Sequence, residues 1–272
     1  MQVSPKDCCI LNEGNGAWAF GALASRLSSC LGVEISEEPR HFNYLLHIEQ
    51  HSPCIEFKSF IPIESIRLAS DKRLLAKLFL EKAVQTPQTT LCDTFSEVMA
   101  LVHDNGRHEW CIKYPTSCGA SGHRLLTKNS DEPQNWPRPF VVQEFIRLDR
   151  PEVYRVYCAA GQLFGWVVRR FPEGSTKSSA WVAHAQGARY VILSDPPPEP
   201  LEVARNALEA SGLLNSFGCV DLLRRPTGEW LALEVGTDGL FNHVDRDLGN
   251  PEFEHQIEDR ITSAFWKAAQ KS

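Results

Sequence analysis

The sequence predicts an α+β protein of three lobes around a cleft. A short N-terminal α/β lobe spans residues 1–65, a central α+β lobe 66–139, and a C-terminal α+β lobe with an antiparallel sheet 140–272. Three observations carry that expectation. At 272 residues the chain exceeds the roughly 150 of one ordinary domain. Helical and strand patterns alternate before residue 140, and strand follows strand after it. Between them, residues 128–139 are polar and broken by Pro133, Pro137 and Pro139, the composition of a linker.

In chain order, Cys8-Cys9-Ile10-Leu11 reads as a buried strand, and Phe20, Leu23, Ala24 and Leu27 lie at helical spacing within 18–31. A second strand is expected over 43–49. A helix follows Ser70, which reads as its N-cap, with Leu75, Leu78 and Phe79 forming an apolar stripe. Thr86-Pro87 stops it. A helix over 94–103 precedes a strand over 110–113, and a Gly/Ser-rich loop, 117–122, leads to Leu125-Leu126. The C-terminal lobe opens with the strand at 140–142. Strands at 154–158 and 163–169 flank the turn Ala160-Gly161-Gln162, and a helix over 201–212 precedes strands at 219–223 and 230–235. A helix over 251–269 closes the chain.

Composition narrows the function. Hydrophobic residues at 43% and charged residues at 23% suit a packed chain rather than a disordered one. A net charge of −6 argues against nucleic acid or a polybasic membrane anchor as partner. No apolar run reaches the roughly 20 residues of a membrane span, and no signal-peptide core follows Met1, so the expected location is cytoplasmic. Nine cysteines, an odd number without a C-x-x-C pair, read as reduced thiols.

Several residues carry chemistry. Asp221 and Glu234 each interrupt an apolar strand, and a hairpin turning at Gly228 brings them together. Carboxylates so placed either bind a hard cation such as Mg²⁺ or face water or an arginine partner. Lys113 ends a strand six residues before Gly119-Ala120-Ser121-Gly122, a loop able to bring backbone N–H groups close to phosphate oxygens. Lys72 opens a helix, where taken by itself a solvated first-turn lysine is the better reading. Arg155, Arg169 and Arg170 lie in strands, and alternation sends only one of the last two to the cleft.

In order and spacing, these segments resemble the ATP-grasp superfamily, most nearly the glutamate-adding peptide ligases and more distantly D-alanine–D-alanine ligase. The resemblance runs from Ser70 to about Asp247, through Cys111-Ile112-Lys113, the 119–122 loop, Val141-Val142-Gln143-Glu144-Phe145-Ile146, Val153-Tyr154-Arg155, Arg170, Val220-Asp221-Leu222 and Leu233-Glu234-Val235. It implies that Lys72, Lys113, Gly119, Ser121 and Gly122 hold ATP phosphates. By the same resemblance Gln143, Glu144, Phe145 and Ile146 contact adenine, Glu152 a ribose hydroxyl, and Asp221 and Glu234 ligate Mg²⁺, as a pair of ions. Arg170, with Arg155 behind it, would meet the charge of the transferred phosphoryl group. Gly236 departs from the family's asparagine ligand at that position, with Asp238 or Asn242 as candidate replacements.

The implied activity is an ATP-dependent carboxylate–amine ligase that forms an amide through an acyl phosphate. Its substrates would be small-molecule or peptide carboxylates and amines, with a homodimer left open. Two alternatives stand beside it: a kinase of the same fold, and a nucleotide-binding module without turnover.

Overall fold

The computed structural model describes residues 3–14, 20–47, 57–104, 108–174, 179–237 and 247–272. In the N-terminal lobe, β1 (Cys8–Asn12) is buried throughout and runs parallel to β2 (Glu34–Ser36) and β3 (Phe42–His47), with β4 (Lys58–Ser59) parallel to β3. Parallel strands need covered faces. Helix α1 (Gly21–Leu31) supplies one cover with Leu23, Ala24, Leu27 and Leu31.

Two helices follow where the sequence pattern showed one. Ser70 ends α2 (Ile63–Ser70), its hydroxyl turned back to the Ile66 carbonyl, so it is not the cap of the next helix. Asp71 takes that role for α3 (Lys72–Glu81): its backbone is extended and its carboxylate accepts from the Arg73 N–H at 2.8 Å. A carboxylate satisfies free N–H groups and complements the helix dipole, which a hydroxyl does only in part.

The middle sheet has the order β5-β8-β6-β7 and is antiparallel. Its strands are β5 (Thr89–Cys92), β6 (Glu109–Lys113), β7 (His123–Leu126) and β8 (Phe140–Phe145), with α4 (Phe95–Asp104) against one face. The expected boundary at residue 139 is corrected here. Strand β8 pairs with β5 and β6, so 128–139 is a loop within the central lobe, and the next sheet begins at Glu152. Composition marks a polar connection but not which sheet the following strand joins.

The third sheet, order β11-β10-β9-β12-β13, comprises β9 (Glu152–Ala159), β10 (Gln162–Arg170), β11 (Arg189–Ile192), β12 (Phe217–Arg224) and β13 (Trp230–Gly236). Helix α5 (Pro198–Ala210) lies against β12 and β13. The final helix, α6 (Pro251–Ala269), joins two lobes. Its Phe253 meets Tyr157 of β9, and its Phe265 packs 5.3 Å from Phe42, 6.2 Å from Tyr44 and 5.8 Å from Phe60 (ring centroids). One continuous core therefore spans the first and third sheets, while the middle sheet keeps its own small core around Val98, Trp110 and Phe140. Eight cysteines are free thiols, six of them buried and Cys118 exposed; Cys54 lies outside the described residues. Among the described residues, no helix is long and apolar enough to cross a membrane.

Candidate active site

Alternation divides the middle sheet into two faces. Trp110, Ile112, Phe140 and Val142 turn toward α4. Cys111, Lys113, His123, Gln143 and Phe145 belong to the opposite face, since Cys111 pairs with Gln143 and Lys113 with His123. The Lys113 ammonium donates to Gln143 Oε1, and Gln143 Nε2 donates to Thr89 Oγ1 at 2.9 Å, which fixes the lysine along the sheet.

Lys72, in the first turn of α3, donates from its backbone N to the Pro115 carbonyl and from Nζ to the Ser117 carbonyl at 2.5 Å. It therefore anchors the loop 114–122 between β6 and β7. Burial is the main force holding its pKa below the ordinary lysine value; Glu234 opposes that shift and Lys113 adds to it. These three charges share one space. In the loop, Gly122 sits so tightly that a Cβ there would lie 2.3 Å from Tyr114 Cβ and 2.6 Å from Ser117 Oγ. Gly119, at φ +61°, has the Ala185 Cβ as its neighbour across the cleft.

On the third sheet, cross-strand register places Arg155, Asp221 and Glu234 in one row on one face. Arg155 grips Asp221 with two bonds, Nε to Oδ1 at 2.7 Å and Nη2 to Oδ2 at 3.1 Å. Arg169 adds a third at 3.1 Å, and also donates to Tyr190 Oη and to the Val182 carbonyl. Asp221 is 2% exposed. Burial alone would raise its pKa, but the two guanidinium groups outweigh that and hold it below the usual carboxylate range. Glu234 is exposed to the cleft.

Several expectations are corrected by this arrangement. Arg169, not Arg170, shares the face of Asp221; Arg170 pairs in register with Glu152 on the other face and donates to it at 3.3 Å. Glu152 also accepts from Tyr154 Oη at 2.6 Å and lies 3.2 Å from Arg150, so it is occupied away from the Asp221–Glu234 row. Arg155 is spent on Asp221. Glu144 pairs with Trp110 in register, turns from the face of Gln143, and takes two 2.6 Å bonds from Arg225, so its side chain bridges lobes instead of facing a ligand. Strand spacing assigns these residues to strands but not their partners. Phe145 and Ile146 are half-buried, and Ser121 is exposed on the loop. Asp238 and Asn242 lie outside the described residues.

Sequence reasoning missed two residues. His123 stands beside Lys113, and Trp181 sets its ring edge-on 5.0 Å from His123 and 5.1 Å from Phe145. The histidine could have been found by counting back from Lys113 across the Gly-rich hairpin; Trp181 had no local signal.

For a hard divalent cation, Glu234 offers an open carboxylate, and Asp221 lies beside it with oxygens already accepting three N–H bonds. Among the described residues no third His, Cys, Asp or Glu completes a cluster. Among the described residues, these side chains fit one ion held chiefly by Glu234.

No protein-family model and no curated protein sequence matches the chain. Solved structures do. D-cycloserine synthetase DcsG superposes with a TM-score of 0.65 at 17% identity, over 96% of this chain and 99% of that one. The ATP-grasp ligase PsnB, complexed with a phosphomimetic precursor variant, Mg and ADP, gives 0.68 at 11% identity, over 96% and 99%. D-alanine–D-alanine ligase from Bacillus anthracis gives 0.65 at 12% identity, over 97% and 96%. Three sheets in this order, alike over nearly the full length of each of these enzymes, establish that the chain has the ATP-grasp fold.

Proposed function

We propose that the protein is an ATP-dependent carboxylate–amine ligase that binds Mg-ATP in the cleft between the middle and third sheets. The observation that carries this reading is the placement of Lys72, which feels both Lys113 of the middle sheet and Glu234 of the third. Two cations and a carboxylate in one groove suit a triphosphate bridged to protein by a divalent ion. Magnesium, when bound, neutralises charge on the transferring phosphoryl group. Lys72 and Lys113 would hold phosphates, and the loop 114–122, pinned at both ends, would cover them and exclude water. The backbone of 143–146, with Phe145 and Trp181, would hold the base. Arg169, beside Asp221, takes the place sequence reasoning gave to Arg170 in steadying phosphoryl charge.

In the reaction, a substrate carboxylate oxygen attacks the γ-phosphorus and ADP leaves, giving an acyl phosphate. An amine nitrogen then attacks the acyl carbon, and phosphate departs with the electrons of the broken C–O bond. No protein nucleophile is needed; positioning and charge supply catalysis. PsnB is a ligase of precursor peptides and the Bacillus anthracis enzyme joins D-alanine, so the substrate panel should hold both peptides and single amino acids.

The test is coupled measurement of ADP and phosphate release across acid and amine pairs. Release of both, dependent on both substrates, is the expected outcome; ADP without phosphate would identify a kinase instead. A second reading, a nucleotide-binding module without turnover, is favoured by the engagement of Asp221 with two arginines and by Gly236. It expects thermal stabilisation by ATP with no ADP formed on any pair.

A further inference from the structure

His123 is not accounted for by the fold. Its Nε2 is shut off from solvent and has no hydrogen-bond partner among the described residues. Leaving a buried polar atom unpaired is costly, and such atoms in folded proteins call for a reason. The side chain stands on the cleft face, directly across from Lys113 in the β6–β7 pairing, with the Trp181 ring against it. Burial first, then Lys113, then Lys72, push its pKa down to about 3, so the ring is neutral in the free protein. The charged groups acting on it are those two lysines alone among the described residues. A lone imidazole between two ammonium groups is poorly placed unless an anion enters. The partner that completes all three is an anionic oxygen, to which each can donate.

We infer that His123 is a third phosphate-binding group of the nucleotide site, its buried Nε2–H donating to an oxygen that Lys72 and Lys113 also hold. This rests on the nucleotide-binding part of the function proposed above. A consequence separates it from a packing role. Phosphate charge opposes the two lysines' influence on the ring, so nucleotide binding raises the pKa of His123 against its burial, and affinity for the phosphate-bearing ligand rises as pH falls. Protonation of the nucleotide's own terminal phosphate, whose second pKa is about 6, acts in the opposite sense.

The experiment is calorimetric titration of adenosine and ADP into the full chain as wild type, H123F and H123Q. Phenylalanine keeps a ring against Trp181 but has no N–H, whereas glutamine restores a donor. H123F should bind ADP at least ~10-fold more weakly, the scale of one hydrogen bond to a charged group, with adenosine affinity unchanged, and H123Q should recover part of the loss. Between pH 8 and 6, wild-type ADP affinity should rise and ADP binding should take up a proton, seen as a dependence of binding heat on the buffer's ionisation enthalpy. Equal ADP affinity in wild type and H123F overturns the inference, as does equal weakening for adenosine. Where H123F fails to fold, the wild-type pH series decides: no rise in ADP affinity toward pH 6 overturns it. Wild type that binds neither ligand refutes nucleotide binding itself, a result distinct from binding that is indifferent to His123.

Discussion

Asp221 and Glu234 are neighbours across two strands, yet their environments assign them different work. Asp221 is buried between Arg155 and Arg169, and Glu234 is open to the cleft. Asp221→Asn removes the compensation of two buried guanidinium groups and is expected to cost about 3–5 kcal/mol, measured by denaturant unfolding. Glu234→Gln alters an exposed group and should change stability by less than about 0.5 kcal/mol while abolishing ADP formation. If Glu234→Gln turns over at the wild-type rate, that carboxylate has no part in the reaction. The sequence showed both acids in apolar strands and left ion ligand and arginine partner open; for Asp221 the arginine half of that alternative is what the structure displays. Strand alternation also told that one of Arg169 and Arg170 faces the cleft, but not which, because the side facing the cleft depends on the twist and partners of β10.

His123 makes a second contribution at this scale. Its folded pKa, about 3, lies below the ordinary 6.5. Between those values the unfolded chain binds a proton that the folded chain refuses, so stability is complete above pH 6.5 and falls as pH drops toward 3. Chemical unfolding of the nucleotide-free protein should show a steeper loss from pH 7 to 5 in wild type than in H123F. Parallel curves would mean that the ring titrates normally.

Among elements, the loop 114–122 is the most constrained by its own chemistry. Tyr114 N donates to the Gly122 carbonyl at 2.7 Å, Lys72 holds two of its carbonyls, and Gly122 leaves no room for a methyl group. Gly122→Ala must push Tyr114 and Ser117 aside. The expected cost is about 1–3 kcal/mol, as for overpacking, with weaker ATP binding by thermal shift. Unchanged melting and binding would show that the turn yields freely. Elements with a strong local signature were legible: α6 spans Pro251–Ala269 as its pattern indicated, with Asn250 capping it and Pro251 in its first turn. Short or weakly patterned ones were not. β2, β5 and β11 are three or four residues long, and α2 buries only Ser65 fully, so no apolar period announces it. Their identity comes from strands and helices that lie far away in sequence.

Over the whole molecule, the middle lobe joins the third sheet through apolar packing of Leu75, Phe79 and Val84 and through polar ties. Glu144, at 6% side-chain exposure, receives both terminal nitrogens of Arg225, and the Ala232 N–H donates to the Gln85 carbonyl at 2.8 Å. Arg225→Ala leaves a buried carboxylate with only the Gln88 N–H and His108 beside it, for a loss of about 1–3 kcal/mol. The affected contact spans two lobes, so hydrogen exchange should rise at β8 and at the β12–β13 turn together. Protection lost on one side alone would show that the pair does not couple them. The mixed α and β character could be read from the sequence, but not the interleaving at β8, which depends on pairing between residues about fifty apart.

Helix α6 has one more consequence, in the order of synthesis. Phe42, Tyr44 and Phe60 are made early, but the Phe265 ring that covers them follows more than 200 residues later. On the ribosome, the first sheet must wait with an apolar face uncovered until that helix has been made. A chain truncated before residue 251 should therefore be a substrate for chaperones, even with every strand of the three sheets present.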